Sequence, residues 1–335
     1  MYSLLGLIKN EETSVRIRQV LYAGIAAVAA CAGAAAHAAD FPQRQIRILV
    51  PFPPGSGTDG SARVLAQEIT RATGQTVVVE NKAGANGFIA TEEVMRAPAD
   101  GYTLLLTSNT HVANKFLFKR TPYDPVQDFK GITLLKEGPL VLLVRADSPI
   151  RSAADLTRAA RAAKTPLAFG SGNSSSRVAA ELYKQLEHVD MLYVPYKGNP
   201  LAIGDLIGGR IDLIFADSTS ATPLIRGGKV RAIATTGRAR TPNLQETPTL
   251  IESGLADFNL GSWLVVLAPR DTPDPVVDRL NQLFRDALRT ETVKRNFLES
   301  DAVPLGTSRQ ELADFMDSEN RRWGSIIQKA GIQPE

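Results

Sequence analysis

The sequence predicts an α/β protein of two domains, and three observations predict it. Short β-branched runs alternate with segments whose apolar residues recur at helical spacing, as where Ile46–Val50 is followed by Ala62, Leu65, Ala66 and Ile69. A strand that breaks into a glycine loop and then a helix occurs twice, at 46–60 and again at 167–176. The chain has 335 residues, 44% of them hydrophobic, which is enough for two cores of ordinary size.

The amino terminus carries an export pattern. Arg16 and Arg18 precede the apolar run Val20–Ala30, and Ala36-His37-Ala38 puts small residues at the two positions a signal peptidase reads. The run is shorter than the roughly 20 apolar residues a spanning helix needs, so 1–38 reads as a signal peptide and the body is expected in the periplasm. Cys31, after Val28-Ala29-Ala30, offers an alternative lipidation site that would leave the body tethered. Cleavage after Ala38 is preferred because it falls just before the first strand-like residues, and it removes three cations, two anions and the single cysteine, leaving +2 from a net +3. Neither that charge nor the pI near 8.9 marks a basic patch, and no run of cations interleaved with aromatics occurs, so nucleic acid is not expected as a partner.

The first unit begins with the strand Ile46–Val50. Its loop, Gly55-Ser56-Gly57-Thr58-Asp59-Gly60, spells G-x-G-x-x-G, and Glu80 closes the next strand at dinucleotide-fingerprint spacing. A nucleotide-dependent oxidoreductase using Gly55–Gly60 is therefore the alternative to weigh. Two facts oppose it. Pro53-Pro54 fix φ and remove two backbone donors where such a loop turns directly into its helix. An exported body also lacks a sustained supply of cytosolic cofactor. What survives is physical: Thr58 or Asp59 can cap a helix that Gly74 stops, and the free amides of its first turn favour an anion, phosphate or carboxylate.

Next come the strand Thr76–Glu80, a second polar glycine loop at Asn81–Gly87, a helix from Phe88 to Met95, and the strand Tyr102–Leu106, which ends at Thr107-Ser108-Asn109-Thr110. In an open α/β sheet, ligands sit beyond the carboxyl ends of the strands, so these loops are expected on one rim. Residues 119–136 show no helical stripe and read as a connection. Leu140–Val144 is a strand, 152–164 a helix, and Leu167-Ala168-Phe169 leads into Gly170–Ser176 and a helix with Ala179, Leu182, Tyr183 and Leu186 on one face. Ser174, Ser175 or Ser176 can cap it. Two such units suggest two domains, each offering an anion site to a shared cleft.

The remainder reads as strand Leu192–Pro195, a helix closed by Gly208-Gly209, strand Arg210–Ala216 ending at Asp217, strand Lys229–Thr235, a long loop, and an apolar strand at Trp263–Leu267 that could return to the first domain. Two amphipathic helices, at 275–290 and 308–330, finish the chain. After cleavage His111 and His188 are the only histidines, with no metal-ligand spacing around them, and Gly170-Ser171-Gly172 has no evident base. No catalysis, metal or cofactor is expected.

The order of 50–59, Glu80–Gly87, Asp100–Leu105, Tyr123-Asp124-Pro125 with Asp128-Phe129, Val194–Gly198 and Gly208–Asp212 resembles the tripartite tricarboxylate transporter substrate-binding proteins, also called Bug receptors. Thr247-Pro248-Thr249, Trp263 and Ala268-Pro269 extend the likeness through the carboxyl third. Ser56 and Asn86 stand where the family usually has glycine, and Arg177-Val178 replaces a common His-Leu. The resemblance implies a type II periplasmic binding protein: two α/β domains, about 40–138 plus 262–335 and 139–261, joined by a two-crossover hinge, with a small di- or tricarboxylate or similar organic acid between them. It further implies a monomer that passes its ligand to membrane permease subunits or a sensor protein. Carried onto this chain, the family's ligand contacts fall on Phe52, Ser56, Gly57, Thr58 and Asp59, on Asn86 and Ser108, and on Ser171, Asn173, Ser174, Ser175 and Asp217.

Overall fold

A computed structural model describes residues 41–335; the export signal and Cys31 lie outside the described residues. One long strand ties the fold together. This is β4 (Phe129–Arg145), 17 residues that serve two sets of partners. Its residues 129–139 pair antiparallel with β9 (Gly261–Pro269), and residues 140–145 pair with β7 (Leu213–Asp217) on one edge and β8 (Val230–Thr235) on the other. Beyond β9 the first half runs β3 (Thr103–Ser108), β1 (Ile46–Val50) and β2 (Val77–Asn81), with β1 parallel to both its neighbours. Beyond β7 the second half runs β5 (Leu167–Ser171) and β6 (Met191–Pro195), all parallel. A two-residue β10 (Val303–Pro304) covers the free edge of β4 at Lys136 and Glu137.

The sequence reading of 119–136 as a connection, with a strand starting at Leu140, is corrected here. Register shifts after Gly131 and after Leu134 break the two-residue alternation, and Lys136-Glu137-Gly138-Pro139 reads locally as a loop. Pairing on both edges nevertheless buries Ile132–Lys136 completely or nearly so. Pro139 faces Gly261 where β4 leaves one set of partners for the other, a place where a missing donor is tolerated.

Helices cover both faces. The stripe foreseen for α1 (Gly57–Thr73) is buried against Ile48, Val50, Leu104 and Leu106, and Gly74 ends the helix with φ 71°. The helix α2 (Phe88–Met95) has the predicted bounds, and α4 (Ala153–Ala162), α5 (Ser174–Glu187) and α6 (Asn199–Ile207) lie where expected. Two helices were not anticipated. The short α3 (Thr110–Leu117) starts directly on the end of β3, and α7 (Ser218–Arg226) carries an internal Pro223 that disguised it. The carboxyl end has three helices where two were expected: α8 (Asp274–Arg289), α9 (Glu291–Leu298) and α10 (Arg309–Lys329). Thr290 makes the break, its side chain accepting the Val293 N–H as the cap of α9. A single apolar cluster runs from Leu49 and Leu105 through Trp263 to Phe169 and Phe215, so the two halves share buried contacts along the strands that join them.

Candidate functional site

Four strands end together, and a helix starts from each end: β1 leads to α1, β3 to α3, β5 to α5 and β7 to α7. Helix starts carry amides without intrahelical partners and the positive end of the helix dipole, which favours negative charge beside them.

The caps are not those the sequence suggested. Ser56, rather than Thr58 or Asp59, caps α1 by accepting the Asp59 N–H at 3.2 Å. Asp59 reaches back to the Gly55 N–H at 2.9 Å and also accepts from Arg63 and Asn81. Burial opposes ionisation of Asp59, but those donors prevail and hold its carboxyl below the usual range. Asn173, rather than a serine, caps α5 by accepting the Ser176 N–H at 2.9 Å and the Ser175 hydroxyl at 3.0 Å. A planar amide one residue earlier does the work that three hydroxyls seemed placed to do.

Side chains and amides then cross the gap. The Gly57 N–H donates to Ser220 Oγ at 3.2 Å, and Ser220 donates both its hydroxyl and its N–H to Asp217, the cap of α7. Asn199 joins the same carboxylate and accepts the Gly172 N–H. Farther along, Asn86 Nδ2 donates to Ser174 Oγ at 3.0 Å and to Asn114 Oδ1 at 2.7 Å, while the Ser174 N–H reaches Thr110 Oγ1 at 3.3 Å. The approach at Gly57 is close enough to require glycine: a Cβ there would lie 2.2 Å from Asp217 Oδ1.

Between these contacts lies a cavity of about 20 Å³ lined by Gly57, Thr58, Ser108, Asn173, Ser175 and Asp217, six of the residues singled out from sequence. Asn173 also borders a 190 Å³ cavity that takes in Asn86, Ser171 and Ser174, and Asn86 with Phe52 lines a further one of 240 Å³. Ser56 and Asp59 line none of the three. They hold the turn that presents Gly57 and Thr58.

Among the lining residues that the sequence reading did not single out is one cation. Lys136 projects from β4 into the 20 Å³ cavity and is only 5% exposed. Its ammonium donates to Thr219 Oγ1 at 2.8 Å and sits 4.7 Å from the centre of the Phe297 ring. Burial pushes its pKa down to about 8, against the pull of Asp217. A lysine followed by Glu137-Gly138-Pro139 gave no local signal of burial, since lysine is almost never buried without a partner.

Glu80, the residue a dinucleotide would need free for its ribose, is instead held by Arg47 through two bonds of 2.7 and 2.9 Å. A larger cavity, about 660 Å³, lies elsewhere, against Phe129, Lys130, Arg309 and Leu312. Its cations are committed to Asp274 and Asp278, which leaves little charge for a ligand.

Residues 61–332 match the sequence profile described as the tripartite tricarboxylate transporter family receptor. Three solved structures are closely similar. The periplasmic binding protein BugD superposes with a TM-score of 0.85 at 32% identity, covering 88% of this chain and all of that one. A protein of Rhodopseudomonas palustris, Rpa4515, solved with adipate, gives 0.85 at 33% identity over 88% of this chain and all of its own. MatC of the same species, solved with bound malate, gives 0.82 at 32% over 86% of this chain and all of its own.

Proposed function

The chain belongs to the tripartite tricarboxylate transporter receptor family, and from that premise we propose that it is a periplasmic receptor that closes on a small di- or tricarboxylate and hands it to membrane permease subunits or to a sensor protein. It is a binding protein and not an enzyme. The observation that carries the reading is the meeting of helix starts from both halves on one cavity, with Gly57, Thr58 and Ser108 on one wall and Asn173, Ser175 and Asp217 on the other. The dicarboxylates held by two structural neighbours support the ligand class.

Closure fits the energetics. Micromolar affinity needs about 8 kcal/mol, and four or five charge-assisted hydrogen bonds at roughly 1.5–3 kcal/mol each supply it after the cost of ordering. Some of those donors belong to each half, so the ligand completes its contacts only when 40–138 plus 262–335 and 139–261 come together as two bodies. A cavity of about 20 Å³ holds little more than a water molecule, so entry requires the halves to part.

The test is a thermal-shift and calorimetric survey of the exported form, residues 39–335, against mono-, di- and tricarboxylates and NAD. Stabilisation by di- or tricarboxylates is expected. Stabilisation by NAD alone would overturn the reading.

A further inference from the structure

Lys136 is unusual for what it lacks. Among the described residues no carboxylate oxygen comes within 4.0 Å of its ammonium, which has a single hydroxyl partner for three donors. It does not snorkel to solvent, as a lysine on a strand normally does: its ammonium is held against Thr219 of α7 and the ring of Phe297 on α9. A cation kept under those conditions is costly for the fold, and such costs concentrate at binding sites.

Its place in the cleft says what it could bind. The partner hydroxyl of Thr219 comes from the other half, so parting the halves frees the ammonium's donors toward the gap, while the stretch of β4 that carries Lys136 stays with β9 and β10. Polar groups of the cleft fall into two sets. One surrounds Lys136 with Thr58, Ser108 and Asp217, and the other surrounds Asn86 with Ser174; Asn173 borders both cavities and links them. The first set holds Lys136, whose ammonium has no carboxylate partner; the second cavity is also lined by Arg177, whose guanidinium is paired with Glu335. Resting on the carboxylate reading above, we propose that Lys136 is a specificity-determining residue: it pairs directly with one carboxylate of the ligand, while a second carboxylate of the same molecule takes the Asn86 and Ser174 end. The ligand class is then a two-ended acid, and a monocarboxylate of equal length is discriminated against because one end of the cleft stays unmatched.

The experiment compares the wild type with Lys136→Met and Lys136→Arg. Calorimetry is run with succinate, glutarate and adipate, each against the monoacid of equal length, butyrate, valerate or hexanoate. The wild type is expected to prefer the diacids, and Lys136→Met to reduce that preference by about tenfold or more, the size of one desolvated charge pair. Lys136→Arg keeps the charge and is expected to retain most of the preference, which separates pairing from packing. Lys136→Met should also unfold at the same temperature as the wild type or higher, because it removes a buried charge. An unchanged diacid preference in Lys136→Met would overturn the assignment and leave the carboxylate reading standing. Failure of the wild type to bind any of these six acids or any tricarboxylate of the survey would overturn the reading itself, and the assignment with it.

Discussion

Replacing Gly57 with alanine separates closure from folding. The added Cβ would stand 2.2 Å from Asp217 Oδ1 and 3.0 Å from Thr219 Cβ, both across the gap. Carbon and oxygen need roughly 3.2 Å, so the walls must part by about 1 Å. Asp217 cannot swing aside cheaply, because it caps α7 and accepts from Ser220 and Asn199. A shift of that size spoils the bonds from Gly57 to Ser220 and from Lys136 to Thr219, together with whatever a ligand gains from the second wall. At about 1 kcal/mol per bond, the loss is about 2–3 kcal/mol, or about 30- to 150-fold in affinity. The fold should not suffer. Gly57 is the first residue of α1 and is not among the positive-φ glycines, so alanine fits its backbone and can gain up to about 1 kcal/mol from the unfolded state. Calorimetry with the best ligand of the survey, paired with thermal unfolding of the free protein, reads both effects. Affinity within threefold of the wild type, in a variant with an unchanged Tm, would refute the closed geometry.

Two further outcomes concern the fold. His111 is fully buried, stacked on Tyr123, with Nε2 bonded to the Pro125 carbonyl at 3.0 Å, and burial pushes its pKa down to about 4. Below pH 6.5 the unfolded chain takes up a proton that the folded chain refuses, so stability falls on acidification from about pH 6.5 to 4, by up to about 3 kcal/mol. Urea unfolding across that range should show the loss, and His111→Phe should flatten it. Glu319 accepts both buried indole N–H groups, from Trp263 at 2.7 Å and Trp323 at 3.0 Å, and also pairs with Arg322. Glu319→Ala strands two donors and should cost about 3 kcal/mol in urea unfolding, with ligand affinity unchanged; Glu319→Gln, which keeps one acceptor oxygen, should cost less.

The regular parts of the fold were legible because their signals are local. The stripe of α1, the stop at Gly74 and the bounds of α2 each follow from a few consecutive residues. What was missed depends on partners distant in sequence. The first part of β4, before Leu140, looked like a connection because its partners, β9 and β10, lie more than a hundred residues later. α7 was hidden by Pro223, a residue that the interior of a helix tolerates poorly. At the site, glycine and hydroxyl clusters marked the loops, but cap identity did not follow from composition. Ser56 and Asn173 won over their neighbours because an extended residue just before the first helical turn has the geometry to accept an amide from within it. Lys136 was visible as a letter but not as a site, since only the paired strand reveals that its ammonium points inward.

The most direct test is a crystal structure of the protein with a dicarboxylate bound. A ligand carboxylate is expected between the halves, within about 3 Å of the first-turn amides of α1 and of Lys136, with residues of β7 and α7 on its far side. Ligand density confined to the groove beside Lys130 and Arg309, with the gap at Gly57 and Asp217 free of it, would contradict the account.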